Sequence, residues 1–231
     1  MGKTYFQDWG VTDYNEAWKK QEVLFDSIMN AKKDVREGKA DPDIIDHYVV
    51  FVEHPHVYTL GKSGSENNLL INAIQLQAKH ATFVNTNRGG DITYHGPGQI
   101  VGYPILDLEA LGLGLKQYIH LLEDSIILSI AEYGITGSRL DGATGVWLEP
   151  ETKNARKICA IGVKSSRYVT MHGFALNINT QLEYFNYINP CGFIDKGVTS
   201  VQKELGREID FEDAKRIVKK NIEKVFGFNL R

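Results

Sequence analysis

The chain contains the stretch Arg88-Gly89-Gly90-Asp91-Ile92-Thr93-Tyr94-His95-Gly96-Pro97-Gly98-Gln99 between two apolar segments. Glycines at this density let the backbone turn sharply and approach a bound molecule closely. Arg88, Asp91 and His95 add hydrogen-bonding groups and a titratable ring. A loop that only connects two strands needs fewer glycines. Because binding residues concentrate on such loops, the stretch predicts a ligand site where it joins the fold.

Strand patterns flank this loop on both sides. Residues Thr82–Asn85 lead into it, and Ile100–Leu108 follow it with the β-branched and aromatic composition of a strand. Pro104 lacks a backbone N–H, which predicts an edge strand or a bulge at that point. Further strands are predicted at residues 48–53, 145–148, 157–163 and 169–178.

Three amphipathic helices are predicted around these strands. Asp13 followed by Glu16 is typical of a helix start, and the charged residues 32–43 predict a solvated loop after that helix. A second helix covers residues 115–130, and Asp210 caps a last one. The strands do not alternate regularly with helices. The pattern therefore favours a mixed α+β fold, with a largely antiparallel sheet flanked by helices, in one domain over residues 1–231.

Composition narrows the class of protein. The chain has 231 residues and a net charge of −3, which gives no general reason to expect nucleic acid or an anionic membrane as a partner. No apolar run approaches the roughly 20 residues of a membrane helix. Two cysteines do not form a disulfide framework. These features predict a cytoplasmic protein without a membrane segment.

Several short motifs fail on their spacing. Gly61-Lys62-Ser63 resembles the end of a phosphate loop, but His56 occupies the position where that loop needs glycine. Gly96 and Gly98, taken with Gly102, miss the dinucleotide spacing by one residue. His54-Pro55-His56 offers two possible metal ligands, but a structural or loop role is favoured over a metal pair. No metal and no cofactor are predicted.

Two residues are candidates for chemistry. Cys191 lies between Pro190 and Gly192, and the glycine leaves one side of the sulfur open. A buried, inert cysteine is the simpler interpretation of a lone cysteine, and it suits Cys159 within its apolar run. A nucleophilic thiol needs thiolate character, which a nearby cation promotes. Lys157 opens an apolar strand and is the candidate cation, with an exposed strand end as the alternative.

Several long motifs, in one order, resemble the lipoyl(octanoyl) transferases. The resemblance runs from about His47 to Gly206. The motifs are Glu53-His54-Pro55 through Thr59-Leu60-Gly61, Asn68-Leu69-Leu70, residues 88–108, residues 155–163, residues 169–177 and Pro190-Cys191-Gly192. This resemblance implies the α+β catalytic fold of the biotin and lipoate protein ligases.

The resemblance also implies an activity. These acyltransferases move an octanoyl group from acyl carrier protein to a lysine of lipoyl domains, in 2-oxoacid dehydrogenase complexes and in the glycine cleavage H protein. By match, Cys191 would carry the acyl group as a thioester and Lys157 would lower the pKa of that cysteine. The substrate-binding residues implied are Arg88, Gly89, Gly90, Asp91, Ile92, Thr93, Tyr94, His95, Ala160, Ile161, Gly162, Gly173, Phe174 and Ala175. His95 and His172 remain open between substrate positioning and a structural role.

Other functions remain as alternatives. The first is an ATP-dependent lipoate or biotin protein ligase of the same fold, which needs phosphate-binding chemistry and no acyl cysteine. A non-catalytic module that holds acyl groups predicts no covalent adduct. A thioester hydrolase predicts release of free acid without an acceptor.

Overall fold

A computed structural model describes residues 2–189 and 196–231. Along the chain, the first half contains β1 (Thr4–Val11), α1 (Tyr14–Arg36), β2 (His47–Glu53), β3 (Val57–Leu60), α2 (Ala73–Ala78), β4 (Thr82–Asn85), β5 (Ile92–His95) and β6 (Gln99–Ile105). The second half contains α3 (Leu115–Ala131), β7 (Ser138–Leu140), β8 (Ala143–Leu148), β9 (Arg156–Ser166), β10 (Val169–Asn177), β11 (Gly197–Val198), α4 (Val201–Leu205) and α5 (Phe211–Phe226).

Two sheets organise these elements. Among the described residues, eight strands form the larger sheet in the order β1-β2-β6-β10-β9-β8-β7, with β11 paired to β9. Its neighbours are antiparallel apart from β1 with β2 and β11 with β9. The smaller sheet has the order β4-β3-β5. The predicted mixed α+β fold with a largely antiparallel sheet is confirmed.

Helices cover both faces of the larger sheet. On one face α1 packs against β2, β6 and β10, with Phe25 and Ile28 buried against Ile105 and Met171. On the other face α3 and α5 pack together over the main hydrophobic core. Asp210 accepts a hydrogen bond from the backbone N–H of Asp213 and so caps α5 as predicted.

The predicted loop at residues 32–43 begins later than expected. The helix α1 continues to Arg36. Lys32 donates hydrogen bonds to Asp107 and Glu109, which ties this part of the helix to the sheet. Lys33 and Arg36 lie in the last turn, where positive charge stabilises a helix C-terminus. The charges of residues 32–36 therefore belong to the helix end, and only the remainder of the predicted loop follows it.

Pro104 lies in an interior strand, so the predicted edge position is wrong. It pairs with Val49 of β2, while the pairing between β6 and β10 ends at Gly102. Beyond that point the Thr170 side chain takes over, donating to the Pro104 carbonyl at 2.8 Å and accepting from the Leu106 N–H at 3.0 Å. The missing N–H of the proline is therefore accommodated where the ladder is already interrupted.

Candidate active site

A cavity of about 450 Å³ lies between one face of the larger sheet and the loop of residues 88–95. Its floor is made by small residues that lie opposite one another in the sheet. Gly162 pairs with Gly173, and Ala160 pairs with Ala175, which in turn pairs with Val101. Because side chains two residues apart share a face, these positions leave a shallow apolar surface. Such a surface accommodates an apolar ligand.

The 88–95 loop is held in place by its own polar groups. The Arg88 guanidinium donates to the Thr59 carbonyl at 2.7 Å, to the Thr59 hydroxyl at 2.9 Å and to the Gly89 carbonyl at 3.0 Å. The Gly89 N–H donates to the Val163 carbonyl of β9 at 2.9 Å. Asp91 accepts from Asn68 at 2.6 Å. Arg88 and Asp91 line the cavity, and these bonds also shape the loop.

Gly61, directly after β3, has no side chain and so lets the 88–95 loop pass close to its backbone. A Cβ atom on Gly61 would lie 2.2 Å from the Gly90 carbonyl oxygen, which is far inside contact distance. The N–H groups of Lys62 and Ser63 donate to the carbonyls of Arg88 and Gly90. The residues that resemble a phosphate loop in the sequence therefore support the wall of the cavity.

Lys157 lies on β9 at one end of the cavity. Its Nζ atom donates to the Thr144 carbonyl at 3.2 Å and lies 4.6 Å from the centroid of the Trp147 ring. Its strand partner on the other side is Val198 of β11. Lys196, the first described residue after the gap in the described chain, also lines the cavity. Lys157 and Lys196 thus bring positive charge to the cavity lining.

The opposite end of the cavity is closed by aromatic and polar side chains of Tyr14, Tyr103 and His172. At about 3.3 Å per residue, β9 spans roughly 16 Å from Lys157 to Gly162, where this end begins. Tyr14 is 2% exposed. Burial raises the pKa of its hydroxyl to about 12, partly offset by the charge of Arg88. The phenol is therefore neutral at physiological pH.

Two histidines at the cavity are neutral. His95 Nδ1 donates to the Gln99 amide oxygen at 2.8 Å, because the Gln99 amide nitrogen is already donating to Asn177. Burial holds the pKa of His95 well below its usual value, and the charges near it add to that effect. Burial likewise lowers the pKa of His172 to about 3, assisted by Arg88 and Lys164. At neutral pH neither ring is protonated to an imidazolium that could act as a general acid.

Most of the predicted site residues lie together. Lys157 and the predicted substrate-binding residues line the cavity, with the exception of Tyr94. Tyr94 points to the other face of β5, where its hydroxyl lies 2.6 Å from His56 Nδ1 and its ring stacks on Tyr184. Neighbouring residues of a strand face opposite ways, so Tyr94 lies away from the cavity that Thr93 and His95 line. Cys191 lies outside the described residues.

The match with a protein-family model decides the family. The model of the lipoyl protein ligase A/B catalytic domain matches residues 13–223. The chain belongs to this lipoyl protein ligase A/B family. An octanoyltransferase of Bacteroides fragilis (strain YCH46) is 57% identical over 213 residues, which cover 92% of this chain and 93% of the relative. An octanoyltransferase of Flavobacterium johnsoniae is 54% identical over 226 residues, which cover 97% of each chain. The predicted resemblance is confirmed, and the chain is an acyltransferase.

A solved structure extends the likeness to the fold. The bi-partite lipoate protein ligase of Thermoplasma acidophilum superposes with a TM-score of 0.71 at 10% sequence identity, covering 100% of this chain and 86% of that one. At this identity the likeness concerns the fold alone. It confirms the predicted ligase-like catalytic fold.

The sequence did not reveal some residues of this lipoyl protein ligase A/B site. Tyr14 comes from α1, ahead of the motifs, and Thr144 and Trp147 come from β8. Tyr103 had a usable signal, since Gln99, Val101 and Tyr103 alternate along β6 and share one face. Tyr14 had none, because only packing places its helix over the sheet.

His54 and Cys159 have structural roles in this family member. His54 is buried between the Thr12 carbonyl and the Tyr103 hydroxyl, each at 2.7 Å. Cys159 is buried in the main core, and burial raises the pKa of its thiol. Within residues 2–189 and 196–231, no group of three or more candidate ligands could hold a metal ion. No helix in this described part is long and apolar enough to cross a bilayer.

Proposed function

We propose that this protein transfers an octanoyl group from acyl carrier protein to a lysine of a lipoyl domain, through a thioester on Cys191. The observation that carries the proposal is the cavity with a small-residue, apolar floor and the Lys157 ammonium at one end. An acyl chain would lie on Ala160, Gly162, Gly173 and Ala175, with its reacting carbonyl toward Lys157. Octanoyltransferases at 57% and 54% identity support the same substrate.

The first step exchanges one thioester for another. The Cys191 thiolate attacks the carbonyl carbon of the octanoyl carrier protein, the new C–S bond forms, and the carrier thiolate leaves. The Lys157 ammonium stabilises the attacking thiolate and gives its proton to the leaving one. Because the two thiolates are chemically alike, the exchange is nearly balanced. Positioning and stabilisation of the oxyanion then control the rate.

The second step returns the proton. The amine of the acceptor lysine attacks the Cys191 thioester, an amide bond forms, and the cysteine thiolate leaves. Lys157, now a neutral amine, accepts the proton that the attacking nitrogen must lose. The neutral rings of His95 and His172 are consistent with a positioning role at the acyl chain, since neither carries a charge into the apolar cavity.

The proposal extends to the partners and the setting. The acceptors are lipoyl domains of 2-oxoacid dehydrogenase complexes and the glycine cleavage H protein, as the resemblance implies. The reaction needs no cofactor because the thioester already carries the acyl group in activated form. We also propose that residues 1–231 form one catalytic domain that works in the cytoplasm.

An intact-mass measurement tests this function. The protein is mixed with octanoyl carrier protein, and an increase of one octanoyl group is expected in the wild type and not in Cys191→Ala. No adduct on a folded wild-type protein would overturn the cysteine mechanism. Incorporation of free octanoate that needs ATP and survives Cys191→Ser would instead identify a ligase. Release of free octanoate with no acceptor would identify a hydrolase.

Lys157→Ala tests the role of the ammonium. Octanoyl transfer to a lipoyl domain is measured from pH 6 to pH 9. We expect a loss of about a hundredfold or more, the scale of general acid–base catalysis. A full transfer rate across that range would contradict the assigned role of Lys157.

A further inference from the structure

One peptide group of β8 is hydrogen-bonded on both sides. Its oxygen, the Thr144 carbonyl, accepts from Lys157 Nζ at 3.2 Å. Its nitrogen, the Gly145 N–H, donates to Glu123 Oε1 at 3.0 Å. The two atoms belong to a single planar amide and point to opposite sides of it. The Lys157 ammonium and the Glu123 carboxylate are therefore connected through one peptide bond.

Glu123 is a buried carboxylate at the inner face of α3. Its side chain is 6% exposed, and its second oxygen accepts from Arg139 Nε at 2.7 Å. A buried carboxylate is costly unless its charge is paired and its oxygens are bonded. Here one oxygen is bound by the guanidinium and the other by the Gly145 N–H. The side chain is thus fixed in position by both of its oxygens.

Gly145 makes this arrangement possible. Its φ is +123°, a conformation that residues with a Cβ atom avoid, and a Cβ atom there would lie 2.5 Å from the Cys159 carbonyl oxygen. The pairing of β8 is also irregular around this glycine. Leu140 and Ser138 of β7 pair with Ala143 and Trp147, and Cys159 and Lys157 of β9 pair with Val146 and Trp147, so none of these pairs includes the Thr144–Gly145 peptide. Its two polar ends are then available to Lys157 and Glu123.

We propose that Glu123 is a positioning residue for Lys157, acting through the Thr144–Gly145 peptide. The inference rests on the proposed function, in which Lys157 is the ammonium beside the reacting thiol. The carboxylate holds the peptide in one orientation, so the Thr144 carbonyl faces the cavity. Hydrogen bonds in a chain polarise one another, so the bond to Glu123 makes that carbonyl a stronger acceptor.

The consequence is a Lys157 side chain that is held in one orientation at the cavity. The polarised carbonyl and the face of the Trp147 ring bind the ammonium from two directions. Both contacts favour the charged amine. A cation held there lowers the free energy of the Cys191 thiolate in the first step. Glu123 contributes to this without touching substrate.

The rate of Cys191 alkylation by iodoacetamide, followed over pH 6 to 10 by peptide mass spectrometry, tests the inference. Peptide analysis separates Cys191 from the buried Cys159. We expect Glu123→Gln to move the midpoint of the Cys191 profile upward by about one pH unit, and so to slow alkylation at pH 7 about tenfold. If the Gln variant does not fold, Glu123→Asp withdraws the oxygen from the Gly145 N–H and is expected to give the same shift.

Asp124→Asn is the matched control. Asp124 also accepts from Arg139, at 2.6 Å, but its side chain is 46% exposed and it makes no bond to the Gly145 N–H. This variant changes the same ion-pair cluster by one charge, and we expect it to keep the wild-type profile. An equal upward shift in Asp124→Asn would overturn the inference, because it would implicate the cluster and not the peptide.

The direction of the shift separates two physical effects. If Glu123 acted only through its own negative charge, its removal would favour the thiolate and move the midpoint downward. A downward or absent shift in Glu123→Gln therefore overturns the inference. Lys157→Ala is measured in parallel. If it also leaves the profile unchanged, the proposed function of Lys157 has failed; if it alone moves the profile upward, only the role of Glu123 has failed.

Discussion

The Tyr14 ring of α1 lies nearly parallel to the His95 ring of β5, with 5.8 Å between the ring centroids and 16° between the planes. Tyr14 is also 5.1 Å from the His54 ring. These contacts connect the first helix to the glycine-rich loop and close the cavity at the end away from Lys157. The bottom of the proposed acyl site is therefore an aromatic wall that comes from outside the sheet.

Replacing Tyr14 with leucine is expected to change the preferred chain length. The smaller side chain lengthens the cavity, and each additional buried methylene contributes about 0.8 kcal/mol, or roughly fourfold in binding. The measurement is kcat/KM for decanoyl relative to octanoyl carrier protein; because the two chains differ by two methylenes, the ratio should rise by up to about fifteenfold. Tyr14→Phe keeps the ring and should keep the wild-type ratio. A wild-type ratio in the Tyr14→Leu variant would show that Tyr14 does not limit the length of the acyl chain.

A methyl group at Gly61 is expected to displace the loop of residues 88–95. The added Cβ atom would meet the Gly90 carbonyl oxygen at 2.2 Å, and a backbone atom cannot move aside cheaply. Overpacking of this kind destabilises by about 1–3 kcal/mol. Urea unfolding of Gly61→Ala should show that loss, together with slower octanoyl transfer. Gly114→Ala is the control, since no atom lies within 4 Å of its new methyl group.

Lysine in place of Arg88 is expected to destabilise the protein although the charge is kept. Arg88 is 7% exposed, and its fork donates from Nη2 to the carbonyl and the hydroxyl of Thr59 and from Nη1 to the Gly89 carbonyl. A lysine ammonium cannot reproduce that geometry. Loss of a hydrogen bond to a charged group costs about 1.5–3 kcal/mol in the free energy of unfolding. Arg167→Lys, at an exposed position, should change the free energy of unfolding little. Equal stability of the two variants would contradict the role of the fork.

The free energy of unfolding is expected to decrease in acid because His172 is buried in its neutral form. Its pKa is about 3 in the folded protein, against about 6.5 when unfolded, so the unfolded state binds the extra proton. Above pH 6.5 His172 is neutral in both states and does not lower the free energy of unfolding. As the pH falls from 6.5 toward 3, only the unfolded state gains the proton, and the free energy of unfolding decreases. His172→Gln should reduce the slope of unfolding free energy between pH 6 and 4 by about 1.4 kcal/mol per pH unit. An unchanged slope would mean that His172 is accessible to protons in the native state.

The local elements were largely predictable from the sequence. The strand at residues 82–85, the helix start at Asp13 and the cap at Asp210 follow from side-chain periodicity and capping, which act within a few residues. Pro104 was misplaced because its effect depends on the strand beside it. The side on which Tyr94 faces also required the pairing of β5 with β3.

The sequence by itself determined the family, the mixed α+β class and the small residues of the cavity floor. These properties are carried by long motifs and by period-two spacing along single strands. Only the tertiary structure decided that Tyr14 closes the cavity and that Glu123 reaches Lys157 through the Thr144–Gly145 peptide. Glu123, Gly145 and Lys157 lie on different elements, and no local spacing relates them. Their contact depends on the packing of α3 against β8 and on the register of β8 with β9.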